Sequence, residues 1–304
     1  MIAAASGALA VDTRRVETAV VEAVAYADVF DWPLSRDEVH RFLPVAADVD
    51  EVRRALCTAE VLRVVCCIDE LYVLRGREAL VASRVAREEA SRRIWAEVAR
   101  RARLLARIPW IRMVAVSGSL AVSAARDGDD IDLLVVTDDG RLWLSRALTI
   151  AVGRVPLPRR LSPRSALCPN YLLSASALTL RERDVYTAHE LVQLVPLFGE
   201  ETYRELLARN AWYREFLPNH PGYTGVVAAR RGAVAPLLLR GLLGGPVGAR
   251  VERWEMARKV ARLRDAAGPG VETRFDADVC KGHVDGHRAR FWAAYRARLE
   301  ALAR

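Results

Sequence analysis

The chain has 304 residues, of which 52% are hydrophobic, and it carries a formal net charge of +8. This length allows one to three domains, and no apolar run reaches the roughly 18 residues that a membrane helix needs. Five cysteines at irregular spacing argue against a disulfide framework and against a structural zinc site, so a reducing cytoplasm is the expected compartment. The N-terminal run MIAAASGALAVDTRR lacks the basic start of a signal peptide, and we expect it to be a frayed tail.

The positive charge is weak evidence for nucleic-acid binding. Among the 46 basic residues only Lys259 and Lys281 are lysines, which is the composition expected of a GC-rich gene, and the basic residues form no cluster. An anionic small molecule such as a nucleotide would suit the charge equally well.

The first block, residues 13–80, has the pattern of a winged helix. A helix is predicted over 16–29, and Ser35 precedes Glu38 by the three residues of a capping box that opens a second helix. A third helix is predicted over 48–59 and a β-hairpin over 62–74. The third helix of such a unit often binds DNA.

The third predicted helix has mixed charge. It carries Arg53 and Arg54, but also Asp48, Asp50 and Glu51, so its attraction for phosphates should be weak. A protein-docking or substrate-positioning role for this block is therefore as open as DNA binding.

The second block, residues 81–178, alternates helices and strands. In chain order the predicted elements are helix 81–106, strand 111–116, a short helix opening at Gly118-Ser119, strand 131–137, helix 142–155 and strand 167–173. Pro169 favours an edge or strand-start position for the last of these strands.

The third block, residues 179–304, has apolar residues at helical spacing and is predicted to be helical almost throughout. Its predicted helices are 184–195, 200–216, 236–266 and 286–303. The expected fold class is therefore α+β, with a small mixed sheet in 81–178 between an N-terminal winged-helix-like block and a C-terminal helical block.

Two carboxylates mark the start of the second strand. Asp130 and Asp132 are two residues apart, so they should share one face of the strand, while Ile131 turns toward the core. Paired carboxylates repel each other unless a cation neutralises them, and Mg²⁺ takes oxygen ligands together with substrate phosphates. The upstream Gly118-Ser119 turn permits a close backbone approach and can hold a phosphate.

This constellation resembles the signature of polymerase beta-like nucleotidyltransferases: Gly-Ser, a gap of about ten residues, and then Asp-hydrophobic-Asp-hydrophobic. Here Gly118-Ser119 is followed by ten residues, 120–129, and by Asp130-Ile131-Asp132-Leu133. The resemblance covers about 90 residues, and YADVFDWPLSRDEVHRFL upstream resembles a segment often fused to bacterial nucleotidyltransferase-like domains.

The resemblance implies a function and a set of roles. Gly118 and Ser119 would bind the phosphates of a nucleoside triphosphate (NTP), and Asp130 and Asp132 would bind Mg²⁺. The chain would transfer a nucleoside monophosphate from the NTP to a hydroxyl of an acceptor, which could be a small molecule, a protein or RNA.

A third carboxylate usually completes a site of this family, and the strand in the matching position carries Asn170 instead. An amide oxygen can ligate a metal but cannot accept the proton of the attacking hydroxyl. Glu182, Asp184 and Glu190 follow closely, and Glu190 is the first candidate for the missing group. A surface position or an ordinary polar contact remains the alternative for Glu190 and for its neighbour His189.

Two further groups of residues are weaker candidates. The arginines of a Pro- and Arg-rich loop could bind a triphosphate, although loop charges are more often merely solvated: Arg154, Arg159, Arg160 and Arg164. His283 and His287 have i,i+4 spacing, but Gly286 between them and the lack of a third ligand argue against zinc. We interpret the tryptophans of the third block as packing residues: Trp212, Trp254 and Trp292.

Three functional hypotheses remain open at this point. The first is an Mg²⁺-dependent nucleotidyltransferase, and the second is a winged-helix DNA-binding regulator whose transferase domain senses nucleotide with little or no turnover. The third is a modifier that adds a nucleotide to a partner protein. No membrane association is expected.

Overall fold

The computed structural model describes residues 2–154, 166–222, 240–267, 273–282 and 286–302. Helices and strands alternate through most of these ranges, and two sheets are present, so the fold is of the mixed α and β type.

The N-terminal block is built from helices and a small antiparallel sheet with strand order β1-β3-β2. Its elements are α1 (Ile2–Asp28), β1 (Leu34–Ser35), α2 (Arg36–Arg41), α3 (Val49–Ala55), α4 (Ala59–Val64), β2 (Val65–Ile68) and β3 (Leu71–Leu74). The capping box predicted for Ser35 and Glu38 is confirmed, with the Glu38 amide donating to the Ser35 hydroxyl at 3.3 Å.

Three predictions for this block are wrong. The expected frayed tail is helical from Ile2 onward. The third helix is interrupted after Ala55 and resumes as α4, because Cys57 and Thr58 form a turn between them. Residues 62–64 therefore belong to a helix, and the hairpin begins only at Val65.

A long helix leads into a larger mixed sheet. The elements that follow are α5 (Leu80–Leu105), β4 (Ile111–Val116), α6 (Gly118–Ala121), β5 (Ile131–Thr137), α7 (Leu142–Gly153), β6 (Leu167–Ser174), α8 (Val185–Val192), β7 (Val195–Phe198), α9 (Glu200–Arg209), α10 (Pro246–Ala267), β8 (Arg274–Phe275), β9 (Val279–Lys281) and α11 (His287–Leu302). Short 3₁₀ turns at Ala175–Ala177 and Ala211–Glu215 complete the described elements.

The larger sheet has the order β7-β4-β5-β6-β9-β8, in which only β5 and β6 are parallel neighbours. Strand β5 is central and is buried on both faces. Ile131, Leu133 and Val135 point toward α5 and α7, while Leu134 and Val136 point toward α8 and α9. Because side chains alternate along a strand, Asp132 lies on the α8 face.

The region after residue 178 is not the helical block that its pattern predicts. Three of its segments are strands of the larger sheet: β7 pairs with β4, β9 pairs with β6, and β8 pairs with β9. The sheet therefore extends across the predicted boundary at 178.

Pro169 lies near the start of β6, which is not an edge strand because it runs between β5 and, from Tyr171 onward, β9. The pairing of β6 with β5 shifts between Asp132–Cys168 and Leu134–Tyr171, so a single β5 residue faces both Pro169 and Asn170. Such a bulge tolerates a proline that cannot donate to the ladder, and it changes the direction of the neighbouring side chains.

A buried carboxylate joins the N-terminal block to the last described helix. Asp28, at the end of α1, accepts from Arg77 at 2.9 Å and from Arg298 of α11 at 2.6 Å, and its side chain is 6% exposed. Among the described residues Arg298 pairs with this carboxylate alone, whereas Arg77 also pairs with Asp31.

We expect Asp28→Asn to lower the free energy of unfolding by about 3 kcal/mol, because it leaves the partly buried Arg298 without its counter-charge and Arg77 with Asp31 alone. Asp50→Asn is the matched control: its pair with Arg53 is more than 60% exposed on both sides and should change stability by less than about 0.5 kcal/mol. Urea unfolding of the two variants measures the difference, and equal stabilities would contradict the prediction.

Candidate functional site

The Gly118-Ser119 turn lies directly against Asp132. Gly118 has a φ of +65°, and a Cβ built there would lie 2.7 Å from Oδ2 of Asp132. The Ser117 amide donates to the Asp132 carbonyl at 3.0 Å. The pairing of β4 with β5 thus brings the turn and the second aspartate together, and only glycine suits both the left-handed backbone and the space.

Asn170 is the nearest polar partner of Asp132. Its Nδ2 donates to Oδ1 of Asp132 at 2.9 Å, whereas its own Oδ1 is buried and has no hydrogen-bond partner among the described residues. A buried amide oxygen without a partner is costly, so this oxygen is free to accept from, or to ligate, a bound group.

The environment of Asp132 disfavours its charged form. Burial, followed by the negative charges of Asp130, Glu190 and Asp129, raises the pKa of Asp132 to about 6, and the bond from Asn170 opposes this shift. The site thus concentrates negative charge in a partly desolvated place, which is the electrostatic setting in which a bound cation is favourable.

A cavity of about 550 Å³ opens beside these residues. Its wall includes Gly118, Ser119, Asp132, Asn170 and Glu190. The structure thus brings four of the five predicted site residues, together with Asn170, to one cavity.

Asp130 is the predicted site residue that does not line the cavity. It is exposed just before β5, and its Oδ1 accepts from the Ala166 amide at 3.4 Å. It acts on Asp132 through its charge.

Of the candidates for a third carboxylate, Glu190 lines the cavity and Glu182 and Asp184 do not. Glu182 forms an ion pair with Lys281 at 3.4 Å. Asp184 accepts from the Thr187 amide at the start of α8 and pairs with Arg288. Neither lines the cavity, whereas Glu190 does, because α8 packs over the face of β5 that carries Asp132.

His189 is a core residue rather than a surface one. Its ring stacks on Tyr26 of α1 with centroids 3.7 Å apart, and its Nδ1 donates to the Val185 carbonyl at 2.9 Å. Burial lowers the pKa of His189 to about 3. Burial, followed by Arg41, lowers the pKa of His220 to about 4.

Stability should therefore fall on acidification below pH 6.5. The unfolded chain binds protons on both histidines with an ordinary pKa near 6.5, whereas the folded chain keeps them neutral until about pH 4, so acid favours unfolding. The expected slope is up to about 1.4 kcal/mol per pH unit for each histidine. Urea unfolding between pH 7 and pH 4.5 should show a smaller slope for His189→Phe, which keeps the stacked ring. The exposed His287→Gln should retain the wild-type slope, and an unchanged slope for His189→Phe would contradict this account.

The structure describes some of the weaker candidates and not others. Arg154 is exposed at the end of α7, and Arg159, Arg160, Arg164 and His283 lie outside the described residues. Trp212 is buried and packs near Phe216, and Trp292 packs on Phe291, whereas Trp254 is 62% exposed and lies beside Arg258. Within the described ranges, no three His, Cys, Asp or Glu side chains form a group that could hold a metal ion.

Sequence reasoning missed the part of the cavity wall that the N-terminal block supplies. Tyr26, Phe30, Phe42, Arg41 and, from α5, Arg87 line the same cavity as the Gly-Ser turn. In the sequence, only the upstream segment with its aromatic residues indicated that the N-terminal block associates with the residues of the Gly-Ser turn.

Among the described residues, no helix combines the length and the apolar character needed to span a membrane. No family model, curated protein or solved structure matches the chain.

Proposed function

We propose that the chain is an Mg²⁺-dependent nucleotidyltransferase, with residues 81–178 as the core of the transferase and the N-terminal winged-helix-like block beside it. The observation that carries the proposal is the contact between Gly118 and the carboxylate of Asp132 inside a cavity that also holds Ser119, Asn170 and Glu190. A glycine-serine turn beside desolvated carboxylates suits a triphosphate together with its cation.

The donor set fits Mg²⁺. Asp132 and Glu190 offer carboxylate oxygens, and Asn170 offers a buried amide oxygen that has no hydrogen-bond partner in the described part of the chain. These three residues would hold the ion, with Asp130 adding negative charge from outside the cavity. When bound, the ion neutralises phosphate charge as a nucleoside monophosphate moves to the acceptor hydroxyl.

Glu190 is the candidate base for the acceptor hydroxyl. The described residues contribute three carboxylates to the cavity wall, of which Glu38 is engaged by Arg84 at 2.7 Å and Asp132 by Asn170. Asn170 itself cannot take a proton. Glu190 is half-buried on α8 and faces the cavity, so it can accept the proton as the hydroxyl attacks.

Incubation of the purified protein with the four labelled NTPs, Mg²⁺ and a cell extract tests the proposal. Label transferred to a small molecule, a protein or RNA supports it and identifies the acceptor class. Glu190→Gln should abolish transfer and weaken NTP·Mg²⁺ binding only in part, whereas Glu182→Gln, outside the cavity, should retain both transfer and binding. Absence of NTP·Mg²⁺ binding by the wild type would overturn the proposal.

A DNA-binding regulator that senses nucleotide is the second candidate. It is favoured by Asn170 at the position of the expected carboxylate and by the exposure of Arg53 and Arg54 on α3, where Asp48 and Glu51 are engaged in a capping box. Duplex binding that weakens with salt and is lost in Arg53→Ala/Arg54→Ala would support it. Equal binding by this variant and the wild type would remove it.

A further inference from the structure

Arg87 is held rigidly in the cavity wall by backbone carbonyls. Its Nε donates to the carbonyl of Ala124 at 2.7 Å, and its Nη1 donates to the carbonyls of Asp31 at 2.9 Å and Phe30 at 3.3 Å. The guanidinium also lies 5.2 Å from the centre of the Trp32 ring. These contacts fix the orientation of the side chain before any ligand arrives.

Arg87 has no counter-charge in direct contact. Within the described part of the chain it forms no ion pair, and its Nη2 donates to no protein acceptor. Burial, with a contribution from Arg126, lowers the pKa of Arg87 more than Asp31 and Asp129 raise it. A half-buried cation without a partner is unfavourable until an anion joins it.

Arg84 lies against the same tryptophan as Arg87, but its charge is paired. It lies one helical turn earlier on α5, with its guanidinium 4.5 Å from the same Trp32 ring. It pairs with Glu38 at 2.7 Å and with Glu88 at 2.8 Å, and it does not line the cavity. The two arginines therefore form a natural pair for comparison.

Arg87 is also connected to the Gly-Ser turn through two hydrogen bonds. The carbonyl of Ala124 accepts from Arg87, and the amide of the same residue donates to the carbonyl of Ser119 at 2.8 Å. Both Arg87 and Ser119 line the cavity. An anion bound at the turn would therefore share this cavity with Arg87.

We propose that Arg87 is a phosphate-binding residue, and that it places the polyphosphate of the substrate between the Gly-Ser turn and the N-terminal block. This inference rests on the proposed function, because it assigns a further contact to the same triphosphate. The carbonyls of Phe30 and Asp31 orient Arg87, so the N-terminal block takes part in nucleotide binding. A guanidinium suits this role because it can donate to carbonyls and phosphate oxygens at the same time.

Calorimetric titration with Mg²⁺-tripolyphosphate and with ATP·Mg²⁺ tests the inference. Arg87→Gln should weaken both ligands roughly ten- to a hundredfold, the usual effect of losing a charge-assisted hydrogen bond. Arg84→Gln should bind both as the wild type does, although it loses two ion pairs. Thermal unfolding establishes that each variant is folded.

Arg87→Lys provides the second variant. Its ammonium can reach a carbonyl or a phosphate but not all the partners of a guanidinium, so roughly three- to tenfold weaker binding is expected. This variant decides the question if Arg87→Gln does not fold. Wild-type affinity in Arg87→Lys, or equal losses in Arg84→Gln and Arg87→Gln, would overturn the role of Arg87. Failure of the wild type to bind either ligand would instead overturn the proposed function.

Discussion

Replacing Asp132 with asparagine is expected to abolish nucleotide transfer and, at the same time, to stabilise the metal-free protein. The carboxylate is the acidic group closest to the Gly-Ser turn, so its loss should lower the transfer rate roughly a thousandfold. Its raised pKa of about 6 means that the folded chain carries an unfavourable charge at neutral pH. Asparagine removes that charge and should raise the free energy of unfolding by about 1 kcal/mol, a value discounted for partial exposure.

The pH dependence gives this prediction a definite sign. Because the folded pKa lies above the ordinary value of 3.8, the folded wild type binds the proton more tightly than the unfolded chain does. Wild-type stability from this group therefore falls as pH rises from about 4 to 6, and the advantage of the variant is largest above pH 6. Urea unfolding in EDTA measures it. The exposed Asp127→Asn should match the wild type in both assays, and an Asp132→Asn variant less stable than the wild type would contradict the account.

A comparison of Gly118→Ala with Gly128→Ala isolates the contact between the turn and Asp132. Both glycines have positive φ, +65° and +93°, so both substitutions should cost about 1 kcal/mol in backbone strain. A Cβ at Gly128 meets nothing within 4 Å, whereas one at Gly118 meets the carboxylate at 2.7 Å. The Asp132 side chain can move away, so the additional stability cost should be small and the cost to function large.

Gly118→Ala should reduce transfer roughly a hundredfold, because a displaced carboxylate no longer faces the phosphates correctly. Gly128→Ala should retain nearly full activity despite its similar loss of stability. Transfer assays below the unfolding temperature of both variants provide the measurement. Equal activities in the two alanine variants would show that the close approach of Gly118 to Asp132 has no catalytic value.

The central strands could be predicted from sequence because their signals are local. Segments rich in β-branched and aliphatic residues at 111–116 and 131–137 are followed by turn residues, and both strands lie where they were predicted. Strand β7 was not predicted: the helix predicted over 184–195 ends at its first residue, and the apolar run LVQLVPLF fits a helix or a strand. Its pairing with β4, more than 70 residues away in sequence, decides the outcome.

The candidate site was also predictable only in part, because some of its contacts depend on the pairing of segments that are distant in the sequence. Gly118 and Asp132 meet through two neighbouring strands, so their closeness follows from the motif. Asn170 approaches Asp132 through a bulge, which depends on pairing register rather than on local pattern. Arg87 looked like one charge among many on a helix surface, since its burial depends on how α1 docks.

The strand β9, contributed by residues 279–281, has a practical consequence for producing fragments. A fragment that stopped at 178 would lack both β7 and β9, leaving β4 and β6 as long, apolar, unpaired edges. Such edges recruit other chains, so the excised segment 81–178 should aggregate even though it contains the whole Gly-Ser and aspartate motif. Fragments for biochemical work should therefore extend past Lys281.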